Sequence, residues 1–149
     1  MMKTMKTLAL STLFVALCGT SISAVAQDKP KVNYVTQTTT KFAVPEGATR
    51  ADMQATFQEY FDKVIAKSTL IRHYSLMIHA WGSLGGSFVT TMEFANWEDL
   101  GKYSEELDTI AKAAWPDEAA RTAFFKKLDS YADMHHSDEI YTVMKSMQK

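Results

Sequence analysis

Four histidines and a single cysteine are the scarce chemistry-bearing side chains of this 149-residue protein. His79 has the most suggestive surroundings. In the run Ile71 to Trp81, alternation sets it on one face with Met77 and Trp81, while Leu76, Ile78 and Ala80 share the other. The run Ser87 to Phe94 likewise divides into Phe88, Met92 and Phe94 against Val89, Thr91 and Glu93. Paired as a hairpin, the two runs bring His79 to the face that carries Thr91 and Glu93. An imidazole near a carboxylate in a half-dry pocket is suited to general-base chemistry. His79 and Glu93 are therefore the catalytic candidates, and Met77, Trp81 and Thr91 the ligand-binding ones. A hydrogen-bonded histidine at a subunit interface is the plainer alternative.

The other chemistry-bearing residues suggest less. His135 and His136 are neighbours, followed by Asp138 and Glu139. Metal ligands on one helix face need spacings of three or four residues, which adjacent histidines lack. The dipole at a helix C-terminus favours imidazole without any function. His73 has no charged partner discernible in sequence, and no metal site is expected. Gly82-Ser83-Leu84-Gly85-Gly86 precedes a strand, whereas a phosphate loop must open a helix. Trp81 also stands where the first glycine of a Gly-x-Ser-x-Gly elbow would be needed. The segment is read as a turn.

The elements that must position these residues follow from periodicity. Val32 to Val44, rich in Val, Thr, Tyr and Phe, reads as a strand closed by Pro45-Glu46-Gly47. Thr49 with Asp52 forms a capping-box pattern. It opens a helix with Met53, Phe57, Tyr60, Phe61, Val64 and Ile65 on one stripe. The two alternating runs then make a hairpin across the glycine-rich turn. Asn96 and Asp99 open a second helix with Trp97, Leu100, Tyr103, Leu107 and Ile110 on its stripe; after Pro116, Asp117 caps a third with Phe124, Leu128 and Tyr131 inward. That third helix is expected to fade near His135, with a turn at Ser137-Asp138 and a last strand from Glu139 to Met144. The aromatic stripe Phe57, Phe61, Trp97, Tyr103, Phe124 and Tyr131 reads as core.

Residues 1–26 look like a secretory leader. Lys3 and Lys6 precede an apolar run from Leu8 to Leu17, and Ala24-Val25-Ala26 gives a cleavage site after Ala26. The apolar run is too short to span a bilayer. Lipidation of Cys18 would need a small residue before it, and Leu17 is large. An exported protein, periplasmic or extracellular and without a membrane anchor in its mature form, is the expectation. Residues 27–31 would form a flexible tether and residues 32–149 a single domain. Removing 26 of the 149 residues leaves 123 and takes away the only cysteine. It also leaves 14 of the 16 basic residues against 17 acidic ones, a net charge of −3. A mildly acidic chain without a basic run lacks the electrostatic footprint of a nucleic-acid binder.

The element order is the βαββαβ split motif of an α+β, ferredoxin-like domain, with an extra helix before the last strand and a four-stranded antiparallel sheet. Helices on one side leave a second sheet face carrying Met77, Trp81, Val89 and either Val35 or Tyr141, which calls for a cover. This order, the chain length and the Trp97-Glu98-Asp99-Leu100 helix start after Met92-Glu93-Phe94 resemble the dimeric α/β-barrel superfamily. The resemblance implies a homodimer packed sheet to sheet, with a cavity between sheet and helices or at the barrel mouth. Its members include cofactor-independent monooxygenases, haem-degrading enzymes and stress-responsive barrels, so architecture is better specified than chemistry. The haem-degrading branch uses an Asn, a Trp and a His. Asn33, Trp81 or Trp97, and His79 are of those types but match no motif position. The expectation is an exported homodimer that binds a small organic ligand with no cofactor. A cofactor-independent or haem-dependent monooxygenase using His79, and a structural dimer without catalysis, are the alternatives.

Overall fold

The structure is a computed structural model, and it describes residues 32–144. The leader and tether expected at residues 1–31 lie outside the described residues. Strand β1, Tyr34–Phe42, is dense in β-branched threonine and valine. It ends in a turn in which the Ala48 amide donates to the Pro45 carbonyl at 3.0 Å and Gly47 takes φ +80°. That is the type II geometry, in which a side chain at Gly47 would be strained. Helix α1, Arg50–Lys63, then starts on a complete capping box. The Asp52 amide donates to Thr49 Oγ1 at 3.1 Å, and the Thr49 amide donates to Asp52 Oδ2 at 2.8 Å.

A short 3₁₀ turn, Ile65–Lys67, leads to β2, Ile71–Ile78, and a hairpin to β3, Ser87–Phe94. Helix α2, Trp97–Ala114, is capped by Asn96, whose Oδ1 accepts from the Asp99 amide at 2.8 Å. Helix α3, Glu118–Asp129, is capped by Asp117, which accepts from the Ala120 amide at 2.7 Å. Strand β4, Ala132–Thr142, closes the described chain. The four strands are antiparallel in the order β2-β3-β1-β4, the ferredoxin-like arrangement.

Cross-strand partners share a face, so the register sorts the sheet. Tyr74, Leu76, Phe88, Thr90, Met92 and Phe94 point to the helices, where Phe57 meets Phe88 and Tyr103 meets Phe94 ring to ring. Val35, Met77, Val89, Thr91, Glu93 and Tyr141 point the other way. The core proper is small: Met53, Val64, Ile65, Phe88, Phe94, Ala111, Phe124 and Tyr131 are its buried apolar residues.

Two expectations are corrected. The third helix stops at Asp129, and β4 begins at Ala132, so no turn forms at Ser137-Asp138 and His135 and His136 stand within a strand. The cause is β4's place at the sheet edge. Ile140 on the helix side and Tyr141 on the opposite side are 49% and 48% exposed, so the strand is wet on both faces and its sequence shows no clean alternation. A bulge between the Thr40–His136 and Phe42–Ala132 pairs further masks its start. Trp97, placed inward by periodicity, is 58% exposed. It lies at the first position of α2 and packs edge to face with Tyr34, with ring centroids 5.3 Å apart.

Candidate functional site

The helices roof the sheet incompletely, and the gap is the site. An inner cavity of about 290 Å³ lies between them, with α1 supplying Phe57 and Tyr60, β2 Tyr74 and Leu76, β3 Thr90 and Met92, and α2 Tyr103 and Leu107. The sequence makes it hollow in a direct way. Central strand β3 presents Thr90 to the helix side as part of the cavity wall, where a larger apolar residue would have filled some of the space.

Three tyrosines converge on this cavity. Burial pushes the Tyr74 phenol up to about 12, with a further contribution from Tyr60. Burial also raises Tyr60, assisted by Tyr103. These hydroxyls therefore stay neutral at physiological pH and can both donate and accept. Among the described residues, no group hydrogen-bonds to the hydroxyl of Tyr60, Tyr74 or Tyr103, and no sealed side-chain polar atom lacks a partner. The three hydroxyls are therefore reachable from the space that surrounds them. No carboxylate, imidazole or amine is among its lining residues, and its polar points are the three tyrosines and Thr90. Apolar and aromatic walls with a few polar points suit the recognition of a small molecule.

Two wider grooves flank the cavity. One, of about 640 Å³, runs between α1 and β2 past Met53, Phe61 and Ile78 and shares Phe57, Tyr74 and Leu76 with the inner cavity. The other, of about 710 Å³, lies between α2 and α3 over Ala111 and Phe125 and shares Tyr60, Tyr103 and Leu107. No histidine lines any of the three, so none offers the imidazole that commonly ligates haem iron.

The residues singled out from sequence lie elsewhere. The hairpin register sets His73 opposite Glu93 and Met77 opposite Val89, and the His79 amide donates to the Ser87 carbonyl at 2.9 Å. His79 and Glu93 therefore stand at opposite ends of the hairpin, roughly 20 Å apart at about 3.4 Å per residue, and form no dyad within one subunit. His79 instead packs on the turn, with its Nε2 3.3 Å from where a Cβ on Gly82 would sit. The Glu93 carboxylate accepts from Asn33 Nδ2 at 2.5 Å, and Asn33 is buried. Thr91 is half-buried in the middle of the open sheet face, Met77 is half-exposed beside it, and Trp81, in the turn, is 93% exposed. None of the three lines a groove on the helix side. His135 Nδ1 lies 3.0 Å from Asp133 Oδ1, and His136 Nε2 lies 2.9 Å from Asp138 Oδ2, while Asp138 Oδ1 accepts from the Thr38 hydroxyl. Among the described residues no group of three or more His, Cys, Asp or Glu is placed to hold a metal.

Tyr60, Tyr74 and Tyr103 were legible only as apolar-stripe or strand residues. Periodicity shows which way a side chain points but not whether the space it meets is filled. Their one distinguishing signal is the phenolic oxygen itself, since a buried tyrosine normally has a partner.

No family model and no curated protein sequence matches the chain. Solved structures match it by fold. A candidate antibiotic biosynthesis monooxygenase from Caulobacter crescentus CB15 aligns with TM-score 0.51 and 13% identity over 76% of this chain and 92% of that one. An uncharacterized NIPSNAP-like domain protein from Burkholderia xenovorans gives 0.51 and 17% over 78% and 89%. A DABB family protein with a ferredoxin-like fold from Mesorhizobium loti MAFF303099 gives 0.50 and 11% over 76% and 99%. At these identities the likeness concerns architecture alone: the chain has a ferredoxin-like α+β fold.

Proposed function

We propose that this chain is one subunit of an exported, dimeric α/β barrel that binds a small organic molecule between its helices and its sheet. One observation carries the reading: Tyr60, Tyr74 and Tyr103, whose hydroxyls have no hydrogen-bond partner among the described residues, line an apolar cavity that has no carboxylate, imidazole or amine in its wall. Such a site selects a flat or branched apolar body bearing an oxygen or nitrogen that can meet a tyrosine hydroxyl. The dimer rests on the open sheet face, where Val35, Met77, Val89 and Tyr141 lie among Gln37, Thr39, Ser75 and Thr91. Sheet-to-sheet packing would cover these residues. It would also take the 93% exposed indole of Trp81 and the half-exposed Met77 out of water. Export rests on the leader pattern at residues 1–26 and is tested by mass spectrometry of the processed N-terminus in fractionated cells.

Binding is tested by thermal unfolding against a panel of small phenols, quinones and polyketide-like aromatics. A ligand at a hundred times its Kd adds about 2.7 kcal/mol of stability. Leu76→Trp, which fills the wall between the inner cavity and the α1–β2 groove, should abolish the shift while the apoprotein still folds. If no compound raises the midpoint of the wild-type protein, the reading fails. Sedimentation showing a stable monomer at micromolar concentration would remove the dimer.

A further inference from the structure

We infer that the α2–α3 groove is the seat of an anionic head group, so that the ligand is an elongated amphipathic carboxylate whose apolar end enters the inner cavity; this rests on the reading of the cavity given above. Three observations carry it. First, the groove and the inner cavity share Tyr60, Tyr103 and Leu107, so a chain lying in one leads into the other. Second, the groove has a polar end. Arg121 Nη1 donates to the Trp115 carbonyl at 3.0 Å, which pins the guanidinium at the corner between the helices, where Trp115 stacks on Phe124. That bond uses one of five donors, and Arg121 makes no salt bridge among the described residues. A guanidinium held in this way presents its remaining fork to a carboxylate. Third, the charges are ordered along the groove. Lys126 adds a second cation, and the Asp108 carboxylate is engaged by Lys112 at 2.6 Å. Asp129 lies eight residues beyond Arg121, about 12 Å along α3. The head therefore belongs at the Arg121 end. Leu107, which lines both spaces, stands eight residues, about 12 Å, up α2 from Trp115, a span that a compact ligand cannot bridge and an extended ten-carbon chain can.

The test titrates the protein with decanoate, with decanol and decyltrimethylammonium as neutral and cationic chains of equal length, and with naphthalene as a compact probe of the cavity. Decanoate is expected to bind about tenfold tighter than decanol, and Arg121→Gln to remove that advantage while leaving decanol and naphthalene unchanged. Arg121→Lys should retain part of it. Equal affinity for decanoate and decanol in the wild-type protein, or preference for the ammonium, overturns the inference. Naphthalene binding without decanoate binding also sinks it and leaves the cavity reading standing; binding of neither sinks both. Should Arg121→Gln not fold, the wild-type ranking of the three chains and the Arg121→Lys variant decide.

Discussion

Adding apolar volume to the floor of the cavity beneath α1 and α2 should stabilise the unliganded protein. Thr90 is the residue to change. It lies at the centre of β3 between Thr38 and Leu76, faces the cavity, and its hydroxyl is tied to no other group among the described residues. Thr90→Ile keeps the branched Cβ that suits a strand, replaces the hydroxyl with a methyl and adds a methylene. The cavity holds about 290 Å³, several times the added volume, so the larger side chain has room to enter without forcing its neighbours off their rotamers. At about 0.8 kcal/mol per buried methylene, with the hydroxyl no longer needing hydration, the gain is about 1 kcal/mol. For a domain of this size that is a rise in Tm of about 4 °C. Urea and thermal unfolding followed by circular dichroism measure it. A well-packed core would respond in the opposite direction, losing ~1–3 kcal/mol to overpacking. A loss of that size would refute both the cavity and the binding function placed in it. The same variant should bind ligand more weakly, because the floor has risen into the site.

Other expected outcomes concern separate parts of the molecule. Tyr74 has its phenol raised to about 12 by burial, so its contribution to stability is complete below the unfolded value near 10 and is lost as pH rises through the folded value. Tyr74→Phe should therefore flatten the alkaline limb of a stability–pH curve between about pH 10 and 12. At Glu106, burial raises the carboxyl, but hydrogen bonds from Ser68, from the hydroxyl and amide of Thr69 and from the Leu70 amide outweigh it and hold the group below 4.5. Its stabilisation is present above that pH and fades as pH falls through the lower folded value, so Glu106→Gln should remove part of the acid limb in chemical denaturation. Gly82→Ala should cost about 1–3 kcal/mol, since φ is +123° and the new Cβ would meet His79; pairing it with His79→Ala should recover only the steric part. Trp81→Ser should leave monomer stability within about 0.5 kcal/mol, as its exposure requires, yet weaken self-association measured by sedimentation.

Much of the architecture was readable because each element carries its own local signal. Thr49 with Asp52, Asn96 with Asp99, and Asp117 each cap the helix they precede, and alternation in β2 and β3 assigned both faces correctly. The misreadings arose where local signal gives way to context. β4 is an edge strand with water on both sides, so His135 to Glu139 looked like a helix end followed by a turn. Strand faces were legible but register was not. The length of the Trp81 to Gly86 turn and the bulge near Arg72 decide that Glu93 meets His73 and not His79. The site itself was hidden, because a tyrosine that packs and a tyrosine that lines a hollow occupy the same position on a helical stripe.

The ties around Glu106 bear on how a guest could get in. Its carboxylate grips Ser68 and Thr69, 38 and 37 residues earlier, so the start of β2, the whole hairpin and the middle of α2 are clasped into a closed circuit. Helices α1 and α3 lie outside this circuit. Each of the two outer grooves has one wall inside the circuit and one wall free of it. If a guest enters by an outer groove, displacing α1 or α3 from the clasped hairpin is the route that leaves this circuit unbroken.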